Sequence, residues 1–257
     1  MTHWAEFVHD YHAAHPGITE DLLTPMCDRA GRDPYTWLVE GLPTSGLIWD
    51  ACCGSAPVAD KVGLDRYRGI DTSDAELDLA RERRPGVRVR AGDAGLVQPP
   101  AGPALISGVT VAMALMLLDL DAFLTRVATF LPPGAPLQAI VPTRTPISGA
   151  GDFATTLTLL GQSGIGYREP LPPQALPGRF AAAGFDLTSD ETALFQRPVP
   201  DLAAADLIVD SFYAPGVTPA QRGEASRWLA GRLAEPGYTF GYPIRRICAR
   251  RRLDSFQ

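Results

Sequence analysis

The sequence predicts an α/β fold built on a doubly wound sheet, and three observations carry that prediction. Apolar runs of strand length alternate with amphipathic segments of helix length along most of the chain. The stretch Leu47–Val58, LIWDACCGSAPV, reads as a buried strand, a turn of very small side chains and the first turn of a helix. A second strand then ends on an acid, Asp71, 21 residues beyond the acid Asp50. Small residues in such a turn let backbone N–H groups come close to a ligand, and Pro57 suits a first helical turn, where its missing N–H costs nothing.

At 257 residues and 46% hydrophobic content, the chain has enough length and apolar surface for one large domain with insertions, or for two small ones. The formal net charge of −6 argues against a nucleic-acid partner, which calls for a basic face. No apolar run approaches the ~18 residues of a membrane span. The opening MTHWAEFVHDYH lacks the basic start and apolar stretch of a signal peptide. Four cysteines, with Cys52 and Cys53 adjacent, make neither a disulfide framework nor a C-x-x-C pair. The expectation is a cytoplasmic protein acting on a small molecule, with no nucleic-acid or membrane partner; a homodimer is left open. A single lysine, Lys61, among 23 basic side chains, with abundant Ala, Gly and Pro, points to a GC-rich bacterial genome.

The elements follow in order. Trp4, Phe7, Val8 and Tyr11 recur at helical spacing over residues 4–14, and His15-Pro16-Gly17 ends the run. A helix is expected over residues 19–30 with Thr19 as its cap, then a short amphipathic helix from Tyr35 to Leu42. The first strand and its helix (58–64) lead to a second strand, residues 66–71, and a helix over 74–84 that Pro85-Gly86 closes. Val87-Arg-Val-Arg-Ala91 alternates as a third strand, and Gly92-Asp93-Ala94 follows it. Residues 104–112 are nearly all apolar, as a parallel strand buried on both faces must be. A helix at 121–131 and a fifth strand at 137–141 come next. Residues 142–178 hold six prolines and six glycines around one helix (152–160) and read as an insertion facing the substrate. A sixth strand within 185–195, helices at 202–213 and 219–234, and a last strand at 240–249 complete the chain. Thr218-Pro219-Ala-Gln221 has capping-box spacing. The basic run Arg245, Arg246, Arg250, Arg251 and Arg252 is expected to be a solvated strand end.

Several of these stretches resemble the class I S-adenosylmethionine-dependent methyltransferases. Leu47–Val58 is similar to their first motif, an acid followed by G-x-G-x-G. Aligned on Asp50, the glycine positions fall on Cys52, Gly54 and Ala56, of which only the second is glycine. Asp71 corresponds to the acid that accepts hydrogen bonds from the cofactor's ribose hydroxyls, with Thr72 beside it; capping the next helix is the other role open to it, although Ser73 and Asp74 suit that better. Gly92-Asp93-Ala94 resembles the adenine-reading motif, in which the acid accepts from the exocyclic amine. Ala112-Met113-Ala114-Leu115-Met116 resembles the family's S-M-A-L-H stretch, with Ala112 for the serine and Met116 for the histidine. Arg179–Phe185 ends on an A-G-F step, and Tyr11 before His15-Pro16-Gly17 matches the N-terminal tyrosine of ubiquinone- and menaquinone-type methyltransferases.

The resemblance implies a Rossmann-like, seven-stranded, mostly parallel sheet with its last strand antiparallel, an N-terminal helical lid (1–46) and a cofactor-binding domain (47–257) carrying the insertion 142–178. It implies S-adenosylmethionine held by Tyr11, Asp50, Cys52, Gly54, Ala56, Asp71, Thr72, Asp93, Ala94 and Ala112. Where the acceptor must lose a proton, the candidate bases are His9, His12 and His15, since all four histidines lie in the first fifteen residues. No carboxylate or thiol completes a metal pattern around them, so no metal is expected. Met113 and Met116 are expected to wall the acceptor, with Arg144 and Tyr167 of the insertion touching it. The expected reaction is methyl transfer to O or N, less so C, of a small, partly apolar molecule in bacterial secondary metabolism. A non-methylating cyclisation or rearrangement on the same fold remains open. A nicotinamide oxidoreductase is disfavoured, because the turn lacks G-x-G-x-x-G and Lys61 is misplaced for a Tyr/Lys pair.

Overall fold

Strand β1 (Leu47–Ala51) is buried on both faces, which suits it to the interior of a sheet covered by helices on two sides. Alternation sends Ile48 into one core and Trp49 and Ala51 into the other. The computed structural model describes residues 3–96, 106–162 and 171–253, with side chains from residue 6 onward. Around β1 lie β2 (Tyr67–Asp71), β3 (Val89–Ala91), β4 (Ile106–Ala112), β5 (Pro136–Pro142), β6 (Phe185–Pro198) and β7 (Thr239–Arg251), in the order β3-β2-β1-β4-β5-β7-β6. The first five pair in parallel, and β7 inserts antiparallel to both β5 and β6. This is the expected seven-stranded, mostly parallel sheet with its last strand reversed. The strand order turns between β1 and β4, and in open α/β sheets ligands bind beyond the carboxyl ends of the strands at that switch.

The helices are α1 (His3–Ala14), α2 (Ile18–Leu23), α3 (Pro34–Val39), α4 (Ala59–Val62), α5 (Asp74–Arg83), α6 (Leu120–Ala128), α7 (Gly151–Leu159), α8 (Leu176–Ala182), α9 (Leu202–Asp210) and α10 (Pro219–Gly231).

 Their starts are chemically marked: Ser73 caps α5 by accepting from the Glu76 N–H, Asp119 caps α6 from Ala122, and Thr218 with Gln221 forms the expected capping box on α10. Helix α2 departs from expectation. It begins after Gly17 rather than Thr19 and stops at Leu23 rather than Ala30, because Pro25 has no N–H to continue it. The chain beyond runs extended instead, and Cys27 forms an antiparallel bridge with Gln196 of β6.

The N-terminal helices share a core with one face of the sheet: Leu22, Leu23, Met26, Trp37 and Leu38 pack with Ile48, Phe195 and Phe240. A polar cluster fastens them to the turn after β1. Glu20 accepts from the Ser55 hydroxyl at 2.6 Å and from Arg84 at 2.6 Å, and Arg84 reaches on to Asp60 and the Ser55 carbonyl. The basic run of β7 is a second departure. Arg245 is buried and forks onto Asp190, while Arg246 lies 4.8 Å over the Trp37 ring and bonds the Trp37 carbonyl. Pairing and stacking bury charges that periodicity alone assigns to solvent. Arg250 and Arg252 are exposed, as expected. Among the described residues no helix is long and apolar enough to cross a membrane.

Candidate functional site

At the switch between β1 and β4 the strand ends open into a cleft of about 420 Å³. Its floor is the turn after β1, and its sides are the segments that follow β2, β3 and β4; α1 and Tyr213, just beyond α9, close one end.

The floor adopts the conformation that three glycines would ordinarily supply. Cys52, Gly54 and Ala56 all have positive φ, at 55°, 51° and 67°. An L residue there costs roughly 1–2 kcal/mol, so this chain keeps the backbone path of a G-x-G-x-G turn with two side chains added. The path is held from outside: the Cys53 N–H bonds the Ile70 carbonyl of β2, and the Gly54 N–H donates to Asp71 Oδ2 at 2.8 Å. Met113, just past β4, is a third non-glycine residue at positive φ (57°), and it too lines the cleft.

Of the three acids singled out in sequence, two line the cleft. Asp71 takes the Gly54 and Ser73 N–H groups, one on each oxygen, and each oxygen keeps a lone pair for a ligand. Burial pushes its carboxyl up, opposed by those two backbone donors and by His12. Asp93 is exposed on the far side and accepts from the Gly95 N–H at 2.7 Å. Asp50 does not line the cleft. Its side chain lies among the strands, 1% exposed, and accepts from Tyr67 Oη and Thr110 Oγ1, each at 2.7 Å. Burial pushes it up to about 7 against the pull of those two hydroxyls, and the charge of Asp71 adds to the rise. Its part is to brace β1 against β2 and β4, which corrects the expectation that all three acids line one crevice.

The remaining candidates divide similarly. Cys52, Gly54, Thr72, Ala94, Ala112 and Met113 line the cleft, whereas Ala56 is fully buried beneath its floor. Tyr11 stands behind the wall, its hydroxyl donating to the Asp210 carbonyl at 2.5 Å and its ring edge-on to Tyr213. His9 is exposed at the cleft mouth, and His15 is exposed away from it on the Tyr11 carbonyl. His12 is the histidine held in place, by Glu76 and Tyr213 at 2.8 Å each. Met116 lines a neighbouring apolar cavity of about 30 Å³ instead of the cleft. Arg144 lies outside both cavities among the described residues, and Tyr167 falls outside the described residues.

No profile of a known protein family matches the chain, and no curated protein does. Solved structures do match. A Haemonchus contortus phosphoethanolamine N-methyltransferase 2, in complex with phosphomonomethylethanolamine and S-adenosylhomocysteine, superposes with a TM-score of 0.59 at 13% identity, over 98% of this chain and 61% of that one. A Haloferax volcanii putative methyltransferase, in complex with the Trm112 methyltransferase activator, gives 0.60 at 15% over 97% and 100%. The [4+2]-cyclase SpnF gives 0.58 at 18% over 96% of each chain. The chain has the class I methyltransferase fold. It spans under two thirds of the Haemonchus contortus protein's length.

Within this methyltransferase fold, several cleft residues carried no usable sequence signal. Glu76 reads as an ordinary third residue of a capped helix, and Tyr213 as an aromatic at a helix end. Glu20 and Tyr35 also reach the cleft, and Asp119, read as a helix cap, lines it too. The described lining holds five carboxylates (Glu20, Asp71, Glu76, Asp93, Asp119) and no lysine or arginine.

Proposed function

We propose that the cleft binds S-adenosylmethionine and that the chain transfers its methyl group to O or N of a small, partly apolar molecule. The observation that carries this reading is Asp71, inside the cleft at the end of β2 with a lone pair free on each oxygen. A carboxylate so placed suits the two ribose hydroxyls. The rest of the lining fits the same group. Glu20 is paired with Arg83 and Arg84, but the other four acids, with no lysine or arginine in the described lining, favour a sulfonium that carries positive charge, and the exposed Asp93 beside buried Ala94 suits an adenine edge. The glycine-like path from Cys52 to Ala56 brings backbone close to a ligand, with Gly54 tied to Asp71.

Bound S-adenosylmethionine supplies a methyl group already activated on sulfur. The chain's own task is then to hold the acceptor in line and keep water out, for which Met113, Leu117 and Leu118 offer an apolar wall. His12, in the cleft and oriented by Glu76, is the candidate base where the acceptor must lose a proton. The arginine-dominated composition points to a GC-rich bacterial source, and bacterial secondary metabolism is the setting we propose for the reaction.

Calorimetry with S-adenosylmethionine, S-adenosylhomocysteine and NAD tests the cofactor. The first two should bind and NAD should not, and Asp71→Asn, which gives up one acceptor oxygen, should weaken binding about tenfold or more. Binding of NAD alone, or of none of the three, defeats the proposal. A second reading is favoured by the SpnF match: the fold can carry a cyclase. Incubation with methyl-labelled cofactor and candidate acceptors separates the two, since a cyclase forms neither methylated product nor S-adenosylhomocysteine.

A further inference from the structure

We propose that Tyr213, joined through His12 to Glu76, takes the proton of a neutral hydroxyl acceptor in the cleft. Tyr213 is then a catalytic residue and Glu76 a positioning residue. The inference rests on the S-adenosylmethionine reading above.

The three side chains come from segments far apart in the sequence. Tyr213 Oη is 2.8 Å from His12 Nε2, and His12 Nδ1 is 2.8 Å from Glu76 Oε1. Glu76 Oε2 accepts the Gly17 N–H at 3.0 Å, and Glu76 is only 2% exposed. A carboxylate whose two oxygens both accept holds the proton of the imidazole on Nδ1. The lone pair is thereby left on Nε2, facing the tyrosine hydroxyl. All three residues line the cleft, and Tyr213 also borders the small apolar cavity beside it, together with Met113, Phe153 and Tyr242. The ring of Tyr213 is fixed by Tyr11, edge-on at 5.0 Å.

The charges nearest this chain of hydrogen bonds are carboxylates, with Arg83 and Arg84 held behind them on Glu20 and Arg222 acting on Tyr11. Glu76 of α5 and Asp71 at the end of β2 face Tyr213; burial pushes its phenol up, a hydrogen bond with the Thr19 side chain opposes the rise, and the two carboxylates add to it. Tyr11 of α1 faces both rings. An acceptor bearing phosphate or carboxylate would meet Asp71, Glu76, Asp93 and Asp119 with no lysine or arginine among the described lining residues, so the lining favours a neutral one. An amine can lose its proton to water near neutral pH, whereas a hydroxyl needs a base at the site.

The proton balance closes. The acceptor O–H bond breaks and its proton passes to Tyr213 Oη while the proton of Tyr213 moves to His12 Nε2. The oxygen's freed electron pair forms the bond to the methyl carbon, and the C–S bonding pair stays on sulfur. One positive charge is lost from the sulfonium and one appears on the imidazolium, opposite Glu76. Solvent takes that proton when the product leaves.

4-Nitrophenol tests this without turnover, because its ionised form is yellow. It is added to the protein saturated with S-adenosylhomocysteine, at a pH below the probe's own pKa. The bound probe should carry about tenfold more phenolate than the free probe, equivalent to a pKa lowered by roughly one unit. That excess should vanish in Tyr213→Phe and His12→Gln and shrink in Glu76→Gln. A wild-type protein that fails to bind the probe, or binds it without added colour, overturns the proposal with no variant needed. So does full colour in a folded Tyr213→Phe. Calorimetry on the same samples separates the two levels of inference. Loss of S-adenosylhomocysteine binding by the wild type would sink the cofactor reading, whereas binding without colour sinks only the proton path.

Discussion

Replacing Asp50 by asparagine tests whether this acid braces the sheet at the expense of ionising. Its carboxyl is pushed from the ordinary 3.8 up to about 7 by burial between β2 and β4. Folded Asp50 therefore keeps its proton to higher pH than the unfolded chain does. The stability it contributes is fully present below about pH 4 and is lost as pH rises through about 7. At 1.36 kcal/mol per unit the whole shift is worth about 4 kcal/mol, of which roughly 2.5 falls between about pH 5 and pH 8. Asparagine has the same shape and does not titrate, and the Tyr67 and Thr110 hydroxyls can rotate to serve it. Urea unfolding of both proteins at the two pH values reads the effect. The wild type should lose about 2–3 kcal/mol relative to Asp50→Asn on going from the lower pH to the higher one. Asp71, whose carboxyl is also raised, is present in both proteins and largely cancels. A stability difference that stays flat across the window, or changes with the opposite sign, would refute the account of Asp50 as a buried acid held by two hydroxyls.

Two further substitutions test the backbone of the cleft and its support. Cys52→Gly removes a left-handed penalty of about 1 kcal/mol or more but gives up some packing, so urea unfolding should show a net gain of about 0.5 kcal/mol; Cys52→Val, branched at the same φ of 55°, should lose more than about 1 kcal/mol. Gly241→Ala puts a methyl inside contact distance of the Gly149 carbonyl oxygen, where only backbone can yield, and thermal unfolding should report a loss of about 2–3 kcal/mol; an unchanged melting temperature would mean that β7 and the loop before α7 do not approach as described.

What the sequence determined by itself is the succession of elements and the ends of the strands that carry the site. Strand and helix periods are local, so runs such as Tyr67–Asp71 and Val89–Ala91 declare themselves, and so do Asp71 at the end of the first and Asp93 just past the second. Even the turn kept its signature: the positions where glycine is replaced, Cys52 and Ala56, are the ones with left-handed backbone. The early end of α2 is legible too, in Pro25, where helical periodicity alone runs on past it. Tertiary structure alone decided which way the side chains at those places turn and what they meet. Asp50 turns inward because Tyr67 and Thr110, 17 and 60 residues away, offer it hydroxyls among the strands. His12 is separated from its neighbours His9 and His15 only by partners 64 and 201 residues distant in the chain. Arg245 and Arg246 leave solvent because Asp190 and Trp37 wait across the sheet. Such pairings depend on packing between segments far apart in sequence, and no local period records them.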